Sequence, residues 1–380
     1  MAGASAGYFL ARAGSVTLLE MEPAAGYHST GRSAALFSEY YGNRVVRALT
    51  AASRPFYTTP PPGFRPPLLA PRGVLALCPH GAEDRFEQVL ADGLTAPTPV
   101  REISPAEVAR CCPVVRPGWY SRAMLKPAAM DIDVDSAHQG FLRGIRARGG
   151  RVVTSARVRD LAWRGGLWRA RTDAGEFAAP KVLNASGAWA DDVAALAGVR
   201  PVGQIPLRRT AFTVAPPAGA QVAGWPMVAD VTETFYFRPE PQVRQPLARG
   251  DPGGPPRADT AGQLLISPAD ATPVPPGDPR PDDLDVAVAA ERVERATTLV
   301  IRQVRRAWAG LRCAVPDDTP VVGEAPDAPG FLWLCGLSGY GIQTAPAVGR
   351  IAAALAADGT AGARADLGFD MSEIAPNRCL

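Results

Sequence analysis

The first twenty residues constrain the fold more than any other segment, because they have the pattern of a helix followed directly by a buried strand. Residues 2–13 read AGASAGYFLARA, in which small residues would let a helix lie close against a sheet, and Gly14 is a natural stop for that helix. The next residues, SVTLLE, are typical of a buried parallel strand with Glu20 at its carboxyl end. This order is that of a dinucleotide-binding α/β fold, in which the acidic residue binds a ribose hydroxyl.

The glycine-rich turn of such a fold is incomplete within this sequence. Gly3 stands where its last glycine belongs, whereas the first strand and two earlier glycines would have to precede Met1. Losing a central strand would expose apolar neighbours and unpaired backbone groups, and such a chain should aggregate. We therefore expect a stretch of about ten residues similar to DVVVIGAG to be encoded upstream of the start codon.

Composition narrows the class of protein. With 380 residues, of which 47% are hydrophobic and 20% charged, the chain can bury a large core and should form about two domains.

No run of about 18 apolar residues and no signal-peptide pattern occurs, so we expect a cytoplasmic protein without a membrane span. The six cysteines have neither CxxC nor metal-ligand spacing, which predicts free thiols and no metal site. A formal charge of +3 without a basic block argues against nucleic acid and favours a small-molecule partner.

Further along the chain, helix and strand patterns alternate. Periodicity predicts helices at 136–149 and 285–304, short strands within 151–175, buried strands at 181–187 and 331–335, and an antiparallel sheet over 204–238. The stretch to about residue 72 is studded with proline, and most of 239–282 is predicted to be an exposed loop around one apolar island, LLIS at 264–267. After strand 331–335, a glycine-rich turn opens a helix whose first turn can present backbone N–H groups to an anion or a carbonyl oxygen.

Seven segments are ordinary alone but specific in their order and spacing. They are AGASAGYFLARAG with Glu20, GYHSTGRSAA (26–35), NASGAWADDVAALAGV (184–199), RRTAF (208–212), FYFRP (235–239), WAGLR (308–312) and GYGIQTAPAVG (339–349). Together they make the chain similar, over nearly its whole length, to the FAD-dependent D-amino-acid oxidase superfamily, most of all to the D-arginine dehydrogenases within it.

The resemblance implies an α/β fold with a Rossmann-like FAD-binding domain and a substrate-binding domain that contains a large mixed or antiparallel sheet. The implied domains are a discontinuous FAD-binding domain of 1–38, 128–203 and 305–370, and a substrate-binding domain of 39–127 and 204–304, with a Pro/Gly-rich insertion loop at 240–263.

The resemblance also implies which residues bind FAD. The GRSAA loop would lie against the flavin and the pyrophosphate, Val158 would touch the adenine with its backbone, and the turn at 339–344 would face the pyrimidine end of the flavin. N–H groups at a helix start would stabilise the negative charge that gathers there on a reduced flavin. The implied contacts are Gly3, Glu20, Arg32, Ser33, Ala34, Ala35, Val158, Gly187, Trp189, Gly339, Tyr340, Gly341, Ile342, Gln343 and Thr344.

An amino acid substrate carries a carboxylate, which a planar guanidinium can hold through two parallel hydrogen bonds. Arg209 and Arg312 match arginines that hold this carboxylate in the resembling dehydrogenases, and Arg208 is the exposed alternative to Arg209. The implied substrate-site residues are Arg209, Arg312, Tyr41, Tyr236 and Gly339.

The implied reaction is oxidation of the CH–NH₂ bond of a D-amino acid to an imino acid, by hydride transfer to flavin N5. The protein then supplies orientation and electrostatics instead of a nucleophile, so His28, His80 and His138 are interpreted as structural or surface residues. Oxygen or a quinone-type compound would accept the electrons. The alternatives are a glycine- or sarcosine-type oxidase of secondary amines, and a non-catalytic relic that cannot hold FAD.

Two positions depart from the resembling dehydrogenases. Leu36 stands where they have a histidine, and Val74 where they have a glutamate that binds the guanidinium end of arginine. A buried cationic side chain without its counter-charge is strongly disfavoured, so we predict a neutral or apolar D-amino acid as the substrate. Cys313 is displaced in register from the cysteine that attaches FAD in some amine oxidases, so we expect non-covalent FAD.

Overall fold

The computed structural model describes residues 1–95, 98–240, 262–358 and 367–379. The helices in these ranges are α1 (Ala2–Leu10), α2 (Arg44–Thr58), α3 (Glu83–Leu94), α4 (Pro105–Cys111), α5 (Val134–Ala147), α6 (Ala190–Leu196), α7 (Asp283–Ala296) and α8 (Ala345–Asp358).

The strands in the same ranges form several sheets. They are β1 (Thr17–Leu19), β2 (Leu36–Phe37), β3 (Leu69–Pro71), β4 (Val74–Pro79), β5 (Arg101–Glu102), β6 (Tyr120–Lys126), β7 (Met130–Ile132), β8 (Arg151–Val153), β9 (Val158–Arg164), β10 (Leu167–Thr172), β11 (Gly175–Ala179), β12 (Val182–Asn184), β13 (Ile205–Val214), β14 (Met227–Asp230), β15 (Tyr236–Pro239), β16 (Leu264–Ser267), β17 (Thr272–Pro273), β18 (Val304–Ala314), β19 (Val321–Glu324) and β20 (Phe331–Cys335).

The largest sheet has nine described strands, in the order β17-β13-β16-β15-β14-β4-β6-β5 with β18 paired to β13. Strand β14 runs parallel to β4, and the other neighbours are antiparallel. The predicted α/β fold with a large mixed sheet is therefore confirmed. The division of the chain into two domains stays a prediction.

One face of this large sheet is the main apolar core. A row of buried side chains crosses five strands in register and packs with α7; it consists of Phe212, Ile266, Phe237, Val228 and Leu75. Successive residues of a strand point to opposite faces, so the residues between these point the other way. That second face carries the candidate site.

The amino-terminal helix and strand lie beside a second group of strands. Strand β1 pairs in parallel with β8, while β12 pairs in parallel with β20. Helix α1 packs closely on α8, since a Cβ atom on Gly349 would lie against Ser5 Oγ and 2.9 Å from the Ala6 nitrogen. The small residues of α1 thus allow close packing on a helix. The predicted close approach to a strand is seen at Gly3, where a Cβ atom would lie 3.2 Å from Leu18 of β1.

Three elements differ from the sequence patterns. Helix α2 lies in the proline-studded stretch, and Asn43 caps it by accepting a hydrogen bond from the Val46 N–H group at 3.0 Å. Proline is disfavoured inside helices, so Pro55 argues against a helix here when only the sequence is considered. The helix forms because burial of Leu49 and its neighbours stabilises it. The island LLIS is the fully buried strand β16 between β13 and β15.

Helix α7 ends at Ala296, well before the predicted end at residue 304. The helix ends because Thr297 adopts an extended backbone. The Thr297 hydroxyl donates to the Val293 carbonyl at 2.7 Å in the last turn. The predicted insertion loop at 240–263 lies mostly outside the described residues. At its base, the Glu240 N–H group donates to the Gln263 carbonyl at 2.8 Å.

None of the helices in the described ranges is long and apolar enough to span a bilayer. In those ranges, no three His, Cys, Asp or Glu side chains are grouped so that they could hold a metal ion. All six cysteines are free thiols.

Candidate active site

A cavity of about 1340 Å³ is lined by the second face of the large sheet, by β1, β9, β12 and β20, and by the turn before α8. Pockets of about 300–1000 Å³ hold drug-sized ligands, so this cavity has room for a dinucleotide together with a small substrate. Every predicted site residue lines it except Tyr340 and Thr344. The tertiary fold thus gathers residues that are distributed over most of the chain.

The predicted ribose end of the cavity lies at the carboxyl end of β1. Glu20 follows this strand, and its carboxylate accepts a hydrogen bond from the Glu22 N–H group at 3.0 Å. Gly3 of α1 and Val158 at the start of β9 line the same cavity. An acid at the end of a strand, near the first turn of a helix, is the arrangement that suits a ribose and its phosphates.

The loop at 26–35 is held against β18. Ser29 Oγ donates to the Leu311 carbonyl at 2.7 Å, and Arg32 Nη1 donates to the Ala309 carbonyl at 3.1 Å. The charge of Arg32 is paired with Asp278 at 2.5 Å. Arg32 therefore anchors the loop through its guanidinium, while Ser33, Ala34 and Ala35 line the cavity beside it.

The three histidines have different environments. His28 Nε2 lies 2.9 Å from Glu22 Oε1, its ring centroid lies 4.7 Å from that of Trp189, and its buried Nδ1 has no partner among the described residues. Burial lowers the pKa of His138 to about 3, so this residue is neutral. His80 is exposed.

The turn before α8 presents unpaired backbone donors. Within the described ranges, the N–H groups of Gly341, Ile342 and Gln343 have no hydrogen-bond acceptor, and all three residues line the cavity. Such groups stabilise an anion or a carbonyl oxygen. Together with the volume of the cavity and the acid after β1, they fit the expected FAD.

Two residues of this turn face into the protein instead. Tyr340 donates from its hydroxyl to Asp318 Oδ2 at 2.7 Å, and its ring lies 4.8 Å from the ring of Tyr41. The Thr344 hydroxyl donates to the Tyr340 carbonyl at 2.8 Å. The Gln343 side chain also forms a hydrogen bond within the protein, because its Oε1 atom accepts from the Ser38 N–H group at 3.0 Å. These side chains shape the turn, and their predicted contact with the flavin stays a prediction.

Strand register brings the two predicted arginines together. Arg209 of β13 is paired with Gly310 of β18, and Arg312 lies two residues further along the same strand and on the same face. Such diagonal neighbours lie about 7–8 Å apart at their backbones. Arg312 Nη1 donates to the Tyr41 hydroxyl at 3.2 Å, and Tyr236 lines the same part of the cavity.

Arg209 has no counter-ion in the part of the chain that the structure describes. Its guanidinium makes no hydrogen bond or ion pair with any described residue, and its Nε atom is buried without a partner. Burial, and next the charge of Arg312, lower the pKa of Arg209. An arginine stays protonated in proteins, so these two adjacent cations form a site for an anion.

Arg208 is not the exposed alternative that the sequence suggested. It points to the opposite face of β13, where its side chain is 16% exposed and its Nη2 atom lies 2.6 Å from Asp285 Oδ2. Asp270 and Asp282 lie within 3.6 Å of the same guanidinium. Alternation along the strand therefore decides which of two adjacent arginines lines the cavity.

The floor of the cavity beyond Tyr236 is apolar. Ala229 of β14 lies between its strand partners Tyr236 of β15 and Ala76 of β4. Two residues away on the same strands, Val74 is paired with Met227. All five residues line the cavity. Of these residues, only Val74 and Tyr236 could be identified from the sequence. The others, and Lys126 at the end of β6, belong to no motif, because only the register of the sheet brings them together.

Cys313 is buried beside this site. Burial raises the pKa of its thiol to about 12, so the reactive thiolate is strongly disfavoured.

Comparison with known proteins gives a family and a fold. Residues 1–355 match the family model described as FAD dependent oxidoreductase. The "FAD-dependent oxidoreductase domain-containing protein 1" of Bos taurus is 29% identical over 186 residues, which are 47% of this chain and 36% of that protein. The chain thus covers about a third of the length of the curated relatives that it matches.

Solved structures share the fold across nearly their whole length. An L-proline dehydrogenase from P. horikoshii superposes with a TM-score of 0.80 at 19% identity, covering 99% of this chain and 94% of that one. An iminodiacetate oxidase from Chelativorans sp. BNC1 gives a TM-score of 0.74 at 21% identity, covering 99% of this chain and 96% of that one. At these identities the similarity demonstrates a common fold.

Proposed function

Because this chain belongs to the FAD dependent oxidoreductase family, we propose that it oxidises the carbon–nitrogen bond of an amino acid whose carboxylate binds to Arg209 and Arg312. The observation that carries the proposal is the unpaired guanidinium of Arg209 next to a second buried arginine. Two planar cations in a cavity select an anion, and a carboxylate matches their hydrogen-bonding geometry.

The FAD would be held along one side of the cavity. Glu20 would bind the ribose, Val158 would touch the adenine, and the unpaired N–H groups of Gly341 and Gln343 would bind the carbonyl side of the flavin ring. Bound FAD supplies the chemistry by accepting a hydride from the substrate α-carbon, and oxygen or a quinone-type compound would reoxidise it.

The residues of the chain would orient and activate the substrate. Two guanidinium groups carry two positive charges against the one negative charge of a carboxylate, and the excess charge lowers the pKa of the substrate ammonium group. The neutral amine that the reaction needs is therefore favoured. Holding the carboxylate at two points also fixes the α-carbon, which is a large part of catalysis when no protein nucleophile takes part.

Two candidate substrate classes follow. The sequence favours a D-amino acid, and Leu36 and Val74 favour a side chain that is not cationic. The second class is a secondary amine, which is supported by the similarity to a proline dehydrogenase and an iminodiacetate oxidase, since both proline and iminodiacetate carry a carboxylate near a secondary amine.

A substrate panel tests the proposal. We expect anaerobic addition of the correct amino acid to bleach the flavin absorbance, with D-arginine at least about tenfold poorer in kcat/KM than non-cationic D-amino acids, because a buried cation lacks a close partner at Val74. The panel contains both enantiomers, sarcosine and proline. Reduction by none of these compounds would contradict amino acid oxidation, and a preference for D-arginine would contradict the substrate class.

The mode of FAD attachment gives another prediction. We expect the purified protein to be yellow and to release its flavin completely on acid precipitation, because the buried Cys313 thiol resists forming the thiolate needed for attachment. The measurement is the flavin absorbance of supernatant and pellet, with Cys313→Ala as the comparison variant. A yellow pellet that turns colourless in Cys313→Ala would contradict it, and a colourless protein that ignores added FAD would support the relic.

A further inference from the structure

Asp318 and Ser338 both have a left-handed backbone, with φ 55° and φ 46°. Residues other than glycine rarely adopt this conformation, and those that do are concentrated at functional sites where the surrounding structure holds them. Asp318 lies between β18 and β19, and Ser338 directly precedes Gly339 in the turn before α8. The Ser338 hydroxyl donates to Asp318 Oδ1, so these two unusual residues from separate segments support each other.

The carboxylate of Asp318 holds the turn on both sides of Gly339. Besides the bond from Ser338 to its Oδ1 atom, its Oδ2 atom accepts from the Tyr340 hydroxyl at 2.7 Å. The Ser338 N–H group also donates to the Cys313 carbonyl at 2.9 Å, which ties the start of the turn to β18. Glycine is by itself the most flexible residue, but here both neighbours of Gly339 are fixed.

This turn supports the guanidinium of Arg312. The guanidinium lies so close to Gly339 that no room is left for a Cβ atom on that residue. Its Nη1 atom donates to the Tyr41 hydroxyl at 3.2 Å, and the Tyr41 ring packs edge to face on the Tyr340 ring with centroids 4.8 Å apart. Two contacts of Arg312 thus lead back to residues that Asp318 holds.

We propose that Asp318 is a positioning residue, which holds Ser338 and Tyr340 and thereby sets where Arg312 presents its guanidinium to the substrate carboxylate. Asp318 itself does not line the cavity, so it acts through these residues alone. This inference rests on the proposed function and deepens it, because it names the group that fixes one half of the carboxylate site.

The two arginines of the site then have different roles. Arg209 makes no hydrogen bond or ion pair with a described residue, whereas Arg312 is held before any substrate arrives. A group that is fixed in advance loses less conformational freedom on binding and gives the ligand a defined orientation. Arg312 would therefore determine the position of the carboxylate, and Arg209 would add charge beside it.

The experiment measures binding of benzoate and of butanoate to the FAD-loaded protein, by the change that each causes in the visible spectrum of the flavin. Asp318→Gly removes both hydrogen bonds, and glycine adopts the left-handed backbone without strain, so we expect this variant to fold. It should bind both carboxylates about tenfold more weakly, since a misplacement of about 1 Å costs up to about 100-fold.

A separation of KM from kcat distinguishes positioning from a general loss of structure. In Asp318→Gly, KM for the amino acid substrate should rise about tenfold while kcat stays within about threefold of the parent value, because the carboxylate is held alike in the substrate and in the transition state. A general loss of structure would instead lower kcat together with the flavin content.

Asp318→Asn is the conservative variant. Asparagine also tolerates the left-handed backbone, and its amide group can bond to both hydroxyls, so affinity should stay within about threefold of the parent protein. The matched control is Asp317→Asn, because the Asp317 carboxylate accepts from Arg378 Nε at 2.7 Å and not from the turn. This control should bind both carboxylates as the parent protein does.

A further variant tests the same link if Asp318→Gly does not retain FAD. Tyr340→Phe keeps the ring beside Tyr41 but removes one of the two hydrogen bonds to Asp318, and about threefold weaker binding is expected. In the double variant with Asp318→Gly, the second substitution should add nothing, because both remove the same interaction.

Parent-like affinity for both carboxylates in Asp318→Gly would overturn the inference, as would an equal loss in Asp317→Asn or in Asp318→Asn. If neither carboxylate binds to the parent protein, Arg312 is not part of a carboxylate site and the inference is wrong as well. Failure of the proposed function gives a different result. If carboxylates bind but no amino acid reduces the flavin, amino acid oxidation is wrong, while the affinities still decide the role of Asp318.

Discussion

Arg209→Met is expected to lower kcat/KM for the amino acid substrate by about 30- to 5000-fold, because removing one partner of a buried charge pair costs about 2–5 kcal/mol. Most of the loss should appear in KM, since the carboxylate is bound in the substrate and in the transition state alike. Flavin content should not change, because the side chain makes no hydrogen bond or ion pair with another described residue. Steady-state kinetics with a measured flavin content checks this result.

Arg208→Met is the matched control, because the two arginines are adjacent on β13 but point to opposite faces. Arg208 is paired with Asp285 and lies near Asp270 and Asp282. We expect its removal to lower the melting temperature while kcat/KM stays within about threefold of the parent protein. If both variants lose activity to the same extent, Arg209 is not the residue that holds the carboxylate.

Gly339→Ala is expected to lower kcat/KM by about 100-fold, because a misplacement of about 1 Å in a substrate-positioning group has an effect of that size. A Cβ atom at residue 339 would lie 2.9 Å from Nη1 of Arg312 and 3.0 Å from its Cζ atom. Carbon atoms prefer separations of about 3.5–4.0 Å, so the guanidinium must move. The hydrogen bond from Arg312 to the Tyr41 hydroxyl, 3.2 Å long, would be lost with it.

The control for this variant is Gly118→Ala, an exposed position with no atom within 4 Å of the added methyl group. Its kcat/KM should equal that of the parent protein. Kinetics and the spectrum of the bound flavin are measured for both variants. An unchanged kcat/KM in Gly339→Ala would show that the position of Arg312 does not matter for the reaction.

Much of the architecture could be predicted from local patterns. The helix and strand at the amino terminus, the acid that follows them and the strand at 331–335 with its glycine-rich turn are all present. Each depends on short-range properties, such as the period of the apolar residues and the conformational preferences of glycine. Helix α2 escaped prediction because Pro55 masks a helix that its buried face stabilises.

Candidate site residues were identified by order and spacing, and most of them line one cavity. The orientation of their side chains could not be predicted in the same way. Tyr340 and Thr344 belong to the predicted turn, yet their hydroxyls bond within the protein. The opposite case is Lys126, which no motif marks but which faces the cavity through its pairing with Val74.

By itself, the sequence determined the family, the mixed α/β class and a set of residues around a dinucleotide-sized site, because these follow from local periodicity and from motifs in a specific order. Only the tertiary structure decided that Arg209 and not Arg208 faces the cavity, and that Lys126 lies across an apolar floor from it. The physical reason is strand register. Helix α7 packs on one face of the large sheet. Because side chains alternate along each strand, every second side chain of its strands points to the other face, where the cavity lies.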